Sequence, residues 1–490
     1  MSRWAAVLAG GAGTRFWPLS TGDVPKQMLP LVGRAPLLVQ TVARLEGLIA
    51  PGQVLIVTGE RLAARTRRLL PGLPVENLLI EPRAASTGPA LAWATAVAAG
   101  RDPSASVLAM HADWFVGDDD AFRASGAQAL EVAERHDVLV TVGVVPTRVE
   151  VGYGYIIPGD PMNGGARRVA RFVEKPDAGR AAGLIQAGAL WNSGLFAWTA
   201  ARFFAETDAV ATEIAPHVAA LRRGDVAGFF REVTPIAVDL SHFERSRRVA
   251  VVSGQFPWDD VGTWGALARV RPRDRDGNVV VGEVATREAT GCVLWSEEGP
   301  VVVDGVQGLV VVRAHGITLV TTVERAQFLK TLIVAFVLAQ LIMVSVAQAF
   351  QVEQYSMEPT LLPRDRVLVD KVTYRFRQPH RGDIVVLKYP LNEQRNYIKR
   401  IVALPGDRVQ VKEGKLYING RRSQESYLNG SPQGNYGPVT VPRGSVFVMG
   451  DNRNNSEDSR AFGARKMDLL VGQALLIYWP PIRLRLLVTR

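Results

Sequence analysis

The chain has 490 residues, too many for one hydrophobic core, and its length alone points to about three domains. An apolar fraction of 47% is that of globular protein and excludes both disorder and a polytopic membrane chain, while the net charge of +10 leaves a basic partner surface to be located. One cysteine, Cys292, excludes an intrachain disulfide or a Cys-rich zinc site, and six scattered histidines leave carboxylates for any metal chemistry.

The apolar run from Trp4 to Ala9 is shorter than a signal-peptide core and leads straight into Gly10-Gly11-Ala12-Gly13-Thr14-Arg15. This reads as a first strand feeding a phosphate loop: glycines let backbone N–H groups approach phosphate oxygens, and Arg15 can neutralise them. The loop is not a Walker A motif, and Phe16 occupies the third glycine's place of a dinucleotide fingerprint. Alone it reads first as a plain tight turn. Lys26, in Pro25-Lys26-Gln27, adds a second cation that can return to the same phosphates. Apolar runs at 54–57, 107–110 and 138–144 then alternate with Ala-rich helical stretches, which predicts an α/β domain with a Rossmann-like mixed sheet over residues 1–276. A charged stretch at 271–277 breaks the pattern. Short strands at 279–281, 292–295, 301–303, 309–313 and 317–321 predict a small β subdomain at 277–328.

Several ordered blocks in this region resemble those of the sugar-phosphate nucleotidylyltransferases. They are GGAGTRFWPLS with PKQ, HAD at 111–113, GYGYI at 152–156, FVEKP at 172–176, WNSG at 191–194 and WDDVGTW at 258–264. FVEKP with WNSG is similar to the mannose-1-phosphate guanylyltransferase branch. The resemblance implies transfer of GMP from GTP to mannose 1-phosphate with loss of pyrophosphate. Both reactants are polyanions, so catalysis is mainly positioning and charge neutralisation. It further implies that Arg15 acts on the reacting phosphates, and that Gly10, Gly11, Gly13, Thr14, Lys26 and Gly154 line the nucleotide and substrate site. Glu174 would take the sugar hydroxyls, Lys175 the sugar phosphate and Asn192 the sugar ring. Asp113 and Asp260 would hold Mg²⁺, a hard ion suited to oxygen ligands. Three departures stand out: Thr21 where the family usually has arginine, HADW in place of the commoner PADH, and no tyrosine after Asp239.

From Thr331 to Val352 run 22 residues without a charge. A helix of that length reaches about 33 Å, enough for a bilayer core, so one transmembrane helix is expected at 331–352. A buried core helix carrying Gln340, Ser345 and Gln348 is the other reading.

Residues 351–490 hold 23 Lys and Arg against 13 Asp and Glu, which is the whole of the basic excess. No zinc-finger, RNP or helix-turn-helix pattern accompanies it, so anionic lipid is the expected partner rather than nucleic acid. Just past the uncharged run stands Ser356-Met-Glu-Pro-Thr; a lone serine is more often a cap than a nucleophile. In Tyr397-Ile-Lys399-Arg400-Ile401, Lys399 on a strand shares its face with Tyr397, Ile401 and Ala403. Burial there would lower the ammonium's pKa, as a general base requires, whereas an edge strand would send the lysine to water. Gly450-Asp-Asn-Arg-Asn-Asn-Ser456-Glu-Asp458-Ser-Arg460, with Arg381-Gly-Asp-Ile-Val385, completes a set of blocks.

These blocks resemble the type I signal peptidases over about residues 325–490. The resemblance implies a mostly-β catalytic domain at 353–490 that removes preprotein signal peptides without a cofactor. Ser356 would be the nucleophile and Lys399 the base, with Ser456 hydrogen-bonded to the lysine and Asp458 paired with Arg460. The backbone N–H of Ser356 would meet the oxyanion; Gln354 leaves the second donor open. The stretch 416–441, rich in Gly, Ser and Asn, reads as an insertion loop with no catalytic signal. The expected setting is a bacterial cytoplasmic membrane, with the transferase in the cytoplasm and the protease on the translocated side. Two other readings stay open on sequence alone: an inactive C-terminal half that only anchors the chain, or two neighbouring genes joined in error.

Overall fold

The structure is a computed structural model that describes residues 1–11, 14–329, 346–389, 392–428 and 430–487. It divides into two compact units, Met1–Lys330 and Thr331–Arg490.

The strands of the first unit begin with β1 (Arg3–Leu8), β2 (Val54–Gly59), β3 (Leu78–Glu81), β4 (Ser106–His111) and β5 (Phe115–Val116). They continue with β6 (Leu139–Val144), β7 (Tyr155–Pro161), β8 (Arg167–Val173), β9 (Leu190–Thr199), β10 (Val249–Gly254) and β11 (Trp258–Asp259). Nine of them form one mixed sheet in the order β3-β2-β1-β4-β9-β6-β10-β8-β7, while β5 and β11 pair by themselves. The strands β1, β2, β4 and β6 are buried along nearly their whole length, as continuous apolar runs covered on both faces must be. Side chains alternate between two cores. Val7, Ile56 and Leu108 face one, and Ala6, Leu55 and Val107 face the other. Helix Thr87–Arg101 supplies Leu91 and Trp93 to the second core, and helix Asp119–His136 supplies Phe122 and Leu130 to the first. The latter helix is well defined by its ends: Asp118 accepts from Ala121 N at the start, and Asp137 at φ 51° closes it. The expected α/β fold with a mixed sheet is what forms.

The short strands that follow are β12 (Val279–Val281), β13 (Val284–Arg287), β14 (Val293–Ser296), β15 (Val301–Asp304), β16 (Leu309–Ala314) and β17 (Ile317–Thr322). They stack as a parallel coil: Val279 lies beside Val293 and Val293 beside Val310, while Val284 lies beside Val301. Only β17 turns back, antiparallel to β16. Ala289, Cys292, Leu294, Val303 and Val311 fill the coil, so the lone cysteine is a core residue.

The second unit is mostly β. Its strands are β18 (Ala347–Gln351), β19 (Arg366–Asp370), β20 (Ile384–Tyr389), β21 (Asn392–Ala403), β22 (Arg408–Lys412) and β23 (Lys415–Ile418). Then come β24 (Arg421–Arg422), β25 (Tyr436–Thr440), β26 (Ser445–Met449), β27 (Arg465–Lys466) and β28 (Leu470–Trp479). One sheet runs β18-β19-β28-β20-β21-β26-β27, and a smaller one runs β24-β23-β22-β25. Strand β21 is held between β20, where Val385 faces Lys399, and β26, where Met449 faces Arg400.

The helix expected at 331–352 needs correction. Most of it lies outside the described residues, but its last part is the strand β18, paired antiparallel with β19 from Ala347↔Asp370 to Gln351↔Arg366. The backbone groups of 347–351 are therefore satisfied by a sheet, and the 22-residue helix does not form as one piece. Among the described residues, no helix is long and apolar enough to cross a membrane.

Candidate active sites

In the first unit β1 and β4 run parallel, so Gly10 and Asp113 emerge at the same edge of the sheet. Asn192 reaches that edge from the start of β9, which runs antiparallel to β4. This carboxyl edge is where open α/β sheets bind their ligands. The loop after β1 keeps Gly10, Gly11 and Arg15 exposed. Gly13 lies outside the described residues, and Thr14 opens the short 3₁₀ turn Thr14–Phe16. Gln27 pins the loop from beneath, donating to Ala9 O at 2.8 Å and Gly11 O at 3.0 Å.

Lys26 turns back into the site as its position after the loop suggested, but there it meets the Asp113 carboxylate and a main-chain carbonyl. Its Nζ is 3.0 Å from Asp113 Oδ2 and donates to the backbone carbonyl of Asp260. Burial opposes ionisation of Asp113, yet Lys26 and His111 outweigh it and hold that carboxyl below its ordinary value. At Asp260 burial wins over Lys26 and Tyr153, and the carboxyl is pushed up. The neighbouring Asp259 is taken by Arg269, with bonds of 2.8 and 3.1 Å. Asp260 instead accepts from Tyr153 Oη at 2.7 Å, and Arg148 Nη2 donates to that hydroxyl at 3.1 Å.

Glu174 follows β8 directly and ion-pairs with Lys175, whose side chain is mostly exposed. Burial pushes the Glu174 carboxyl up against that pairing. Asn192 accepts from Thr141 at 2.9 Å and donates to Asp239 at 2.7 Å, which fixes its amide. Its backbone N donates to Gly154 O at 2.8 Å. A Cβ on Gly154 would stand 2.6 Å from Glu174 Oε2 and 3.3 Å from Asn192 Cβ, so glycine leaves the Glu174 carboxylate room to stand where it does. Sequence reasoning did not assign roles to Gln27, Tyr153 and Asp239. The first two lie inside the PKQ and GYGYI blocks, which was the available signal.

In the second unit Ser356 sits in the turn Tyr355–Met357 and Lys399 on β21, both buried. Lys399 Nζ lies 2.8 Å from Ser356 Oγ and 3.1 Å from Ile398 O. Burial lowers the Lys399 ammonium to about 8, against the opposing pull of Asp458 and Glu457. The shared face with Tyr397 forms as expected, with Nζ 4.8 Å from the ring centroid. A groove of about 610 Å³ passes Ser356, bordered by Phe350 and Gln354 on one side and Asn396 to Ile398 on the other.

Asp458 is fully buried and takes Arg460 in a two-pronged pair of 2.9 Å each, while Gly450 N donates to it at 3.1 Å. Ser456 is not bonded to Lys399. Its buried hydroxyl has no partner among the described residues, because it packs against Gly450 while Lys399 turns to Ser356 and its own strand. Behind the pair lies a buried clasp that the sequence did not announce. Asp451 accepts from Thr360 Oγ1 at 2.5 Å and from Arg400 Nε and Nη2 at 2.8 and 2.7 Å. Thr360 lies just after the Ser356 turn and Arg400 follows Lys399, so one carboxylate ties the segments of Ser356 and Lys399 together.

A family model for nucleotidyl transferases matches residues 4–277, and a model for signal peptidase, peptidase S26, matches residues 325–479. The chain belongs to the nucleotidyl transferase family and carries a peptidase S26 domain on the same polypeptide. A mannose-1-phosphate guanylyltransferase from Klebsiella pneumoniae is 36% identical over 344 residues, covering 66% of this chain and 72% of the relative. A solved structure described as a mannose-1-phosphate geranyltransferase, from Thermus thermophilus, aligns with 69% of this chain and 99% of its own. That alignment has 35% identity and a TM-score of 0.63. A signal peptidase I from Enterococcus faecalis aligns with 20% of this chain and 97% of its own, at 34% identity and a TM-score of 0.19.

Proposed function

We propose that one chain performs two reactions: GDP-mannose synthesis from GTP and mannose 1-phosphate, and Ser/Lys cleavage of signal peptides. The observation that carries the second reaction is the 2.8 Å contact between Lys399 Nζ and Ser356 Oγ inside a buried setting. Neutral Lys399 takes the hydroxyl proton as Ser356 attacks the scissile carbonyl, and the Ser356 N–H faces the oxyanion. The ammonium then protonates the leaving amine, and water repeats the sequence on the acyl-enzyme. The groove beside Ser356 suits an extended peptide lying between strands.

In the first unit the sugar phosphate oxygen attacks the α-phosphorus of GTP, and pyrophosphate leaves. The loop at Gly10 and Gly11, with Arg15, neutralises the triphosphate, while Glu174, Lys175 and Asn192 orient the sugar phosphate. Lys26 joins the Asp113 carboxylate to the Asp260 backbone carbonyl, and the side-chain oxygens of Asp113 and Asp260 are the donors that would hold a hard divalent cation, with substrate phosphates to complete its shell. Mg²⁺ held there would supply charge stabilisation at the phosphoryl oxygens. The purified full chain should therefore release pyrophosphate from GTP only with mannose 1-phosphate and Mg²⁺, and should trim a preprotein after a small-x-small motif. Failure of either, with the other intact, removes that half of the reading.

The protease unit is placed on the translocated face of a membrane and the transferase unit in the cytoplasm. The uncharged stretch at 331–345 and the basic character of residues 351–490 suit contact with a bilayer, and the sides follow from the proposed chemistry, since GTP is cytosolic and preproteins are cleaved after translocation. With Cys292 replaced by Ser, a cysteine introduced at Gln433 should react with an impermeant maleimide in intact spheroplasts, and one at Asp177 should not. Equal labelling in sealed spheroplasts would contradict the placement.

A further inference from the structure

Relays with three side chains orient the base through a third group. Lys399 has no such side-chain partner among the described residues beyond Ser356, so alignment of the pair falls on the backbone around Ser356. That backbone is held by the loop at 450–460. Asn452 N donates to Ser356 O at 3.0 Å. A Cβ on Gly450 would stand 2.4 Å from Ser356 O and 2.3 Å from Ser456 Oγ, so the Gly450 peptide lies directly on the nucleophile's own.

Arg453 controls where that peptide sits. Its Nε donates to Gly450 O at 3.0 Å, and Arg460 Nη2 donates to Arg453 O at 2.5 Å. The Arg453 side chain is wholly buried, and its charge is met by Glu425 through bonds of 2.9 and 2.5 Å. Glu425 comes from the stretch between β24 and β25, which had no catalytic signal in the sequence. Tyr427 donates to the same carboxylate at 2.8 Å, and its ring centroid is 3.9 Å from the Arg400 guanidinium. The second contact of this stretch is polar: Gln433 N donates to Asn454 Oδ1 at 2.9 Å, and Asn454 Nδ2 to Ser431 O at 3.0 Å. A buried ion pair costs desolvation on both sides and is weak evidence for stability alone. A placement that also aims Arg453 at the peptide beside the nucleophile gives the pair a second use.

We propose that Glu425 is a positioning residue for peptide cleavage, acting through Arg453 and Gly450 to hold the Ser356 turn where Lys399 can take its proton. Tyr427 fixes the carboxylate. The proposal rests on the reading of the second unit as a Ser/Lys protease.

The test uses the full chain and a preprotein with a small-x-small site, with Ser356→Ala as the zero. Glu425→Ala should lower kcat by about tenfold or more with KM little changed, and Glu425→Asp should recover part of the loss. Because that change strands a buried arginine, the deciding variant is Glu425→Leu with Arg453→Met. It replaces the pair by apolar volume, keeps the unfolding midpoint near wild type, and removes the donor to Gly450. Its kcat should stay about tenfold down. A double variant that folds and cleaves like wild type overturns the proposal, as does a loss carried by KM alone. Should the double variant unfold, Tyr427→Phe decides: a fall in kcat of about threefold at an unchanged midpoint supports the role, and unchanged kcat overturns it. A wild-type chain that cleaves no better than Ser356→Ala overturns the protease reading and the positioning role together.

Discussion

A lysine that serves as a base must lose its proton near neutral pH, and at Lys399 burial among apolar side chains moves it there. The pH profile of kcat/KM for preprotein cleavage should therefore rise through about 8. A midpoint near the value of a free lysine, about 10.4, would contradict this assignment. The same shift has a thermodynamic sign. Between about 8 and the ordinary value of 10.5, Lys399 holds fewer protons folded than unfolded, so unfolding takes one up and stability rises with pH. That contribution is complete above the ordinary value and is lost as pH falls through about 8. Lys399→Met should flatten this part of the stability curve, measured by denaturant titration across the window. In the first unit the crowded residue is Gly154. Its replacement by Ala would drive a Cβ into Glu174 and Asn192. Pyrophosphate release should then fall by about tenfold or more in kcat/KM for mannose 1-phosphate, while wild-type activity in Gly154→Ala would place the sugar elsewhere.

The turn carrying Ser356 and the strand carrying Lys399 are separate in sequence, and Asp451 clasps both through Thr360 and Arg400. Asp451→Asn should cost about 3–5 kcal/mol by urea unfolding, since it leaves a buried guanidinium without its counter-charge. Cleavage should be lost with it; retained cleavage would mean the clasp does not set the dyad. How far such features could be read beforehand depends on their range. The strands at 54–57, 107–110 and 138–144 were visible because apolar runs bounded by turn residues carry a local signal. They form within β2, β4 and β6. Lys399 was visible because alternation along a strand is also local. The tail of the uncharged run was misread: a short apolar stretch has no periodicity that separates helix from strand, and pairing with β19 decided it. The Glu425–Arg453 pair joins residues from separate loops, and nothing local in a Gly- and Asn-rich stretch marks which charge will be buried.

Across the chain, the two reaction centres draw on disjoint residues within separate compact units. In the full chain, Asp113→Ala should abolish GDP-mannose formation and leave preprotein cleavage at the wild-type rate. Ser356→Ala should do the reverse. EDTA should act as Asp113→Ala does, because only the transferase reaction is read as metal-dependent. Loss of both activities from either single change, with folding intact, would mean the centres are not independent. The family assignments of both halves could be read in the sequence, because each motif block is continuous over a few residues. The contacts inside each site could not be, since Tyr153 meets Asp260 and Arg453 meets Glu425 only after folding.

The coil between β12 and β17 carries a different kind of information. Val284 pairs with Val301, Thr290 with Gln307, and Val293 with Val310, each partner seventeen positions on. A tandem duplication of one such period would present the same residue types to equivalent neighbours and be read as one more turn, each interrupted pairing being remade with the copy. Growth of this kind is open only ahead of the β16–β17 hairpin, whose antiparallel return ends the stack. The coil can therefore change length by whole turns during descent while the nine-stranded sheet keeps its sequence, much as a ladder is extended by adding rungs below its last one.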